Sequence, residues 1–394
     1  MYHRLAVCYF NSDARNLHGL LRMNDSNKTK SADIIRDQLH AGGGTDILAG
    51  MQCGAQILET RRTRNTASCV FLLTDGQDRS NTPEKIALSR RLKDNGTAVF
   101  VFGFGADHDA EHMMAISQAA EGGFSYIDTD DTVADAFGGA LGSLQGNILL
   151  TNLTLRVSSA LAGVVQITSA SAGRYNTVVD SGKTSASVSF ANMFCGEKRD
   201  ILLQLSVPRV DTPCYSALLS ASLQYSALGE SYSLAAQSSS SSSTAAAASC
   251  GVERVDDNDE RLKARTRALD VDEQINRLAV TAATGAAITS ADTGNMAEAR
   301  RILNQAISAI GSSPSYAANS ATSVALMREL KDALGNTESR EHYDRRGGKS
   351  LMMESLSSNV QQRSTYTKAG KVNMYQSNNS KTTQEDFKGK KGGF

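Results

Sequence analysis

Residues 41–50 read A-G-G-G-T-D-I-L-A-G: three glycines in a row, a hydroxyl at Thr45, and the start of an amphipathic helix. Glycine adopts backbone angles that a side chain forbids, so Gly42, Gly43 and Gly44 shape a loop that can approach a ligand closely. Thr45 stands where its hydroxyl either caps the next helix or meets a ligand at the helix N-terminus. Further on, the apolar run Ala67–Leu73 ends in Thr74-Asp75-Gly76. One strand-to-helix loop offers a hydroxyl and the other a carboxylate, which predicts a site for a hard cation at one end of a parallel sheet.

Working outward, short apolar runs alternate with helical patterns. Leu5–Phe10 reads as a buried strand and Asn16–Leu21 as a short strand pairing back to it. Ser31 or Asp33 can cap a helix running to Leu39. A helix over 47–59 places Ile47, Met51, Ala55 and Leu58 on one face. Cys69–Leu73 is the next strand, and Thr82-Pro83-Glu84 opens a helix ending near Asn95-Gly96, with proline and glycine at the expected ends. Ala98–Phe104, a helix over 109–120, the strand Phe124–Ile127 and a closing helix over 130–144 complete the series. Such alternation implies a doubly wound, mostly parallel α/β sheet, with ligands at the carboxyl ends of its strands.

Composition narrows the function. Lys and Arg together number 41, as do Asp and Glu, so the net charge is zero and nothing favours nucleic acid as a partner. No apolar run reaches the length of a membrane span, and the N-terminal apolar run is too short for a secretory signal. The six cysteines show no C-x-x-C pair and no zinc spacing, which favours free thiols and a reducing, cytoplasmic setting.

The strings R-L-A-V-C-Y-F, A-G-G-G-T-D-I-L-A-G, F-L-L-T-D-G-Q-D and V-F-V-F-G-F-G-A-D-H-D, in this order, resemble a von Willebrand factor A domain of the plant and protist type. The resemblance implies a Rossmann-like sheet and a metal-ion-dependent adhesion site for Mg2+ or Mn2+. In that family an Asp-x-Ser-x-Ser loop, a Thr and an Asp from three loops hold the ion. By motif, Thr45 matches the Thr and Asp75 the Asp, while the Asp-x-Ser-x-Ser loop has no match. Asn11-Ser12-Asp13 is the nearest string and has the wrong order. The family's first strand is central in its sheet, so residues 1–146 are expected to form an N-terminally incomplete domain, or one that has lost its metal site. Either a gap in the sheet or a forced pairing of its neighbours follows. Thr45 and Asp75 would then be residual ligands holding the ion weakly. Asp46 and Asp78 lie beside them, as orienting groups or as solvated loop carboxylates.

Other chemistries are less favoured. His108-Asp109-Ala110-Glu111-His112 fits an inverted zincin pattern, H-x-x-E-H, but acidic helix capping explains it without zinc. Gly103-Phe104-Gly105 lacks the third glycine of a dinucleotide fingerprint, and no serine sits in a G-x-S-x-G elbow. No catalytic set emerges, and the chain reads as non-enzymatic.

Past residue 146 the helical period stops. Leu149–Val157, Gly163–Ser169, Ser185–Phe190, Asp200–Val207 and Ala217–Tyr225 predict a small β-sandwich over 147–235. Ser238–Thr244 and the alanines beside it predict a linker over 236–250. Residues 251–346 predict a helical region, with helices over 256–285, 295–310 and 323–334, packed on the sandwich. Residues 347–394 read as a polar, largely disordered tail, although Q-Q-R-S-T-Y within 361–366 resembles the end of the Vwaint segment that trails A domains. The reading as a whole is a protein-interaction module whose metal site meets a partner's carboxylate. The alternative is the substrate-binding part of a ubiquitin-ligase-type protein whose RING is absent from this chain.

Overall fold

The computed structural model describes residues 3–40, 42–65, 67–105, 108–144, 150–161, 164–227, 230–235, 249–256, 258–263, 265–364 and 374–390. The chain opens with the antiparallel hairpin β1 (Arg4–Phe10) and β2 (Ala14–Arg22), followed by α1 (Asp25–Gln38) and α2 (Ile47–Glu59). Helix α1 starts six residues before Ser31. Asn24 caps it by accepting from Asn27 N, and Ser31 lies buried in mid-helix, its Oγ 2.8 Å from His18 Nε2. Strands β3 (Ser68–Thr74), β4 (Thr97–Phe104) and β5 (Phe124–Ile127) form a parallel sheet in the order β3-β4-β5. Between them run α3 (Thr82–Asp94) and α4 (Ala110–Ala119), and α5 (Asp130–Leu144) follows β5.

The apolar run T-A-V-F-V-F-G-F of β4 explains its central place, because a strand covered on both faces needs no polar alternation. Its side chains still alternate between two layers. Val99 and Val101 join Ile47, Met51, Leu88, Met113 and Ile116 from α2, α3 and α4. Ala98, Phe100 and Phe102 face the opposite layer, with Ala136 and Ala140 of α5. Phe102 stacks on Phe137 with ring centroids 4.6 Å apart, and Phe71 meets Phe100 edge to face. Fully burying each such ring contributes roughly 2–3 kcal/mol.

Among the described residues the forced pairing of the hairpin with the parallel sheet does not form: β1 pairs only with β2, and β3 only with β4. What joins the hairpin to the parallel sheet is α2, whose one apolar layer takes in Phe10 of β1 together with Val70 and Leu72 of β3. Gly50 permits this approach, since a Cβ there would strike the Phe10 ring.

The following strands are β6 (Leu150–Ser159), β7 (Gln166–Ser171), β8 (Asn176–Val179), β9 (Ser185–Met193), β10 (Leu202–Ser206), β11 (Cys214–Ala227), β12 (Glu230–Ala235) and β13 (Ser249–Arg254). They form an antiparallel sheet ordered β12-β11-β6-β9-β8, with β13 also on β11, and a small sheet of β10 and β7. Val157, Ala186 and Leu219 of the large sheet share one core with Ile167, Leu203 and Leu205 of the small one. Residues 236–248 of the expected linker lie outside the described residues, and its last two, Ser249 and Cys250, open β13 instead.

Helices α6 (Glu260–Lys263), α7 (Leu269–Asp292), α8 (Met296–Gly311), α9 (Pro314–Ala317), α10 (Ala321–Asn336), α11 (Arg340–Arg345), α12 (Gly348–Gln361) and α13 (Asn378–Lys390) complete the chain. Two expectations are corrected here. The helices do not pack mainly on the sandwich: α7, α8, α10 and α12 extend the apolar layer of α2 and α4, and Tyr126 N of β5 donates to Glu354 Oε1 of α12. Within the tail expected to be largely disordered, residues 348–361 and 378–390 are helical. Helix α12 buries Met352, Met353 and Val360, and α13 lies on α5, where Ser380 Oγ donates to Gly139 O at 2.6 Å.

Candidate functional site

The loops after β3 and before α2 meet at the carboxyl end of the parallel sheet. Gly42 and Gly43 take φ of 137° and 91°, angles that exclude a side chain without strain. The turn of the β1–β2 hairpin seals this loop. Asn11 Nδ2 donates to Gly42 O (3.1 Å), Gly44 N donates to Ser12 Oγ (2.9 Å), and Asp46 N donates to Asn11 O (2.6 Å). Thr45 is half-buried, Asp75 is exposed, and a Cβ at Gly76 would collide with Thr45 Oγ1. The structure therefore brings Thr45 and the Asp75 loop together.

The neighbouring carboxylates have structural partners. Asp46 caps α2, accepting from Ala49 N at 2.9 Å. Asp78 is buried and accepts from Ile47 N (2.9 Å), Ser80 N (2.9 Å) and the Lys85 ammonium (2.6 Å). Lys85, itself fully buried, also donates to Asp78 O (2.9 Å) and Ser80 O (2.7 Å). Burial works against the charged form of Asp78, but Lys85, Ser80 and the Ile47 amide outweigh it and hold the carboxyl down to about 2. Asp78 thus fastens the start of α2 to the loop after β3. Sequence reading left this role open and missed Lys85, whose only signal is its place one turn into α3.

The histidines of the H-x-x-E-H string are also built in. His108 Nδ1 lies 2.7 Å from Gly105 O, which accepts its proton, and the ring packs near Phe124 and Tyr126. Thr82 Oγ1 donates to Arg79 O, so His112 Nδ1 donates to Thr82 Oγ1 at 3.1 Å. Burial, then the Lys85 charge, lower the His112 pKa and keep it neutral at pH 7. Asp109 caps α4 through His112 N and pairs with Arg79 at 2.5 Å. Among the described residues, no three His, Cys, Asp or Glu side chains converge on one point to hold a metal. A cleft of about 700 Å3 runs from Gln77 past His112 to Arg340, Tyr343 and Lys349. Its charges are matched: Arg340 pairs with Asp344, and Lys349 with Asp292 at 2.9 Å.

A family model for the von Willebrand factor type A domain matches residues 2–138. Residues 2–138 are a von Willebrand factor type A domain. Across 206 residues, or 52% of this chain, the sequence is 29% identical to the E3 ubiquitin-protein ligase WAV3 of Arabidopsis thaliana, covering 26% of that protein. An uncharacterized protein of Synechocystis is 27% identical over 174 residues, 43% of this chain and 41% of its own length. The chain thus spans about a quarter to two-fifths of these relatives. A solved von Willebrand factor type A protein from Catenulispora acidiphila superposes over 93% of this chain and 82% of its own, with a TM-score of 0.63 and 16% identity. That likeness extends the shared fold beyond the A domain to the β-rich and helical parts. Among the described residues no helix is long and apolar enough to cross a membrane.

A domains commonly bind a divalent metal at the strand-end crevice, and generally act as non-catalytic interaction modules. The donor set here fits such an ion only in part. Thr45 and Asp75 supply a hydroxyl and a carboxylate, while Asp46 and Asp78 are committed to backbone amides and to Lys85. Mg2+ favours near-octahedral oxygen ligation, so water would fill most of its shell.

Proposed function

We infer that this chain is a non-enzymatic, cytoplasmic protein-interaction module that meets its partner at the strand-end crevice of the A domain. The observation that carries this reading is the contact of the Thr45 and Asp75 loops, with Asp75 exposed and the glycine loop held in place by Asn11 and Ser12. Thr45 and Asp75 act as residual ligands of Mg2+ or Mn2+, and Gly42, Gly43 and Gly44 keep the backbone clear of the ion. When bound, the ion supplies a coordination position for a partner's carboxylate. Asp78 and Lys85 hold the two loops in register. Residues 1–146 form the interaction domain, with 147–235 and a Vwaint-like 251–346 as its support.

Calorimetric titration of the full chain with MgCl2 and MnCl2 tests the reading. Two protein ligands predict a dissociation constant of roughly millimolar, with heat lost in Asp75→Ala and much reduced in Thr45→Ala. Micromolar binding, or binding unchanged in Asp75→Ala, would contradict it.

The relation to WAV3 favours a second reading, in which this module selects substrates for a ubiquitin ligase whose catalytic part is supplied separately. Both readings expect no ubiquitin transfer by this chain alone. Conjugates formed with only activating and conjugating enzymes added would overturn the non-enzymatic assignment.

A further inference from the structure

Cys8 of β1 and Cys53 of α2 place their sulfurs 2.8 Å apart. Two sulfurs in ordinary non-bonded contact sit farther apart, while a bonded pair is separated by roughly 2 Å. Both thiols are half-buried, and they come from elements 45 residues apart in sequence. The other cysteines have different settings: Cys69 faces the aromatic layer with Phe71, and Cys195, Cys214 and Cys250 are exposed.

The position gives the contact a consequence. Among the described residues the β1–β2 hairpin has no neighbouring strand, and α2 is what binds it to the sheet. The hairpin turn in turn holds the glycine loop through Asn11 and Ser12. A bond between Cys8 and Cys53 would clamp hairpin, loop and helix into one unit.

We propose that Cys8 and Cys53 form a reversible dithiol–disulfide couple, oxidised by a small-molecule disulfide such as oxidised glutathione. One protein thiol, on losing its proton, attacks a sulfur of the small disulfide and releases one small thiolate, leaving a mixed disulfide. The second protein sulfur, deprotonated in turn, displaces the other small thiolate and closes the bond. Two protein thiols lose two electrons, the small disulfide gains them, and the two protons end on the released thiols. Burial, then the bond donated by Cys53, push the Cys8 thiol up to about 12, so attack by the Cys8 sulfur accelerates as pH rises.

The test equilibrates the full chain in glutathione buffers of graded reduced-to-oxidised ratio, quenches with acid, alkylates free thiols and maps the peptides. A linked peptide joining Cys8 to Cys53 should grow with the oxidised fraction, as both thiols lose alkylation together. Cys53→Ser should leave Cys8 free of any intramolecular link in every buffer. The oxidised wild type should melt roughly 5–10 °C above the reduced form, a difference absent from the Cys8→Ala/Cys53→Ala variant. Full alkylation of Cys8 and Cys53 in the most oxidising buffer, or separate glutathione adducts without the link, would overturn the proposal. The mapping uses the wild-type chain, so it decides the matter even where a variant fails to fold.

Discussion

Lys85 and Asp78 sit beside the crevice as a buried ion pair whose side-chain polar atoms all have hydrogen-bond partners, and removing one partner exposes the cost of burying the other. Lys85→Met leaves the Asp78 carboxylate buried without its ammonium, a change expected to cost about 3–5 kcal/mol, read from the urea midpoint at pH 7. The pair also sets a pH dependence. Asp78 titrates near 4 when unfolded and near 2 when folded, so its contribution is fully present above pH 4 and is lost as pH falls toward 2. The size is about 2 kcal/mol, and Asp78→Asn should remove that part of the acid sensitivity in denaturation curves taken from pH 6 to pH 2. At this scale the sequence was informative where chemistry is local. The strings around Thr45, Asp75 and the glycines mark two strand-end loops, and those loops do meet. Lys85 was illegible because its partner lies across a loop and its neighbours on α3, Glu84 and Arg90 among them, read as an ordinary solvated face.

Elements were legible wherever a hydrophobic period ran unbroken. The strands of the parallel sheet and helices α2, α3 and α8 follow their apolar patterns closely, with Asn295 capping α8 as its position suggests. Polar helices were misread. Helix α13 has almost no apolar stripe, yet Ser380, Thr383 and Gln384 are buried against α5, and Gln376 donates to Gln384 Oε1 at 2.8 Å. Composition treats such residues as solvated, whereas internal hydrogen bonds offset their burial. Gly142 allows the close fit of α5 and α13, because a Cβ there would collide with Ser380 Cα and Asn379 O. Gly142→Ala should therefore loosen α13, with amide exchange over 378–390 roughly tenfold faster or more and the parallel sheet little changed. Unaltered exchange there would show that the close packing does not hold the helix.

Across the whole molecule, one arginine joins the three parts of the chain. Arg363, just past α12, donates to Glu121 O beside the A-domain sheet, to Asn192 of β9, and to both oxygens of Glu197. Burial opposes charge on Glu197, but Arg199 and Arg363 outweigh it and hold its carboxyl down to about 2. The sequence string Q-Q-R-S-T-Y marked this place by resemblance, while its physical role required the fold to bring residues some 240 positions apart into contact. Arg363→Met should cost about 3 kcal/mol or more and split thermal unfolding into separate transitions, seen by calorimetry. A single transition at the wild-type temperature would show that the parts are coupled elsewhere.

In the proposed reading, Thr45 and Asp75 are what the crevice at the carboxyl end of the parallel sheet offers an ion. Paramagnetic relaxation by Mn2+ locates that ion most directly. Added to isotope-labelled full-length chain at roughly millimolar concentration, Mn2+ should broaden the amides of residues 42–47 and 74–78 first, and Asp75→Ala should abolish the effect. Broadening centred elsewhere, such as at His108 and His112, or persisting in Asp75→Ala, would contradict the account.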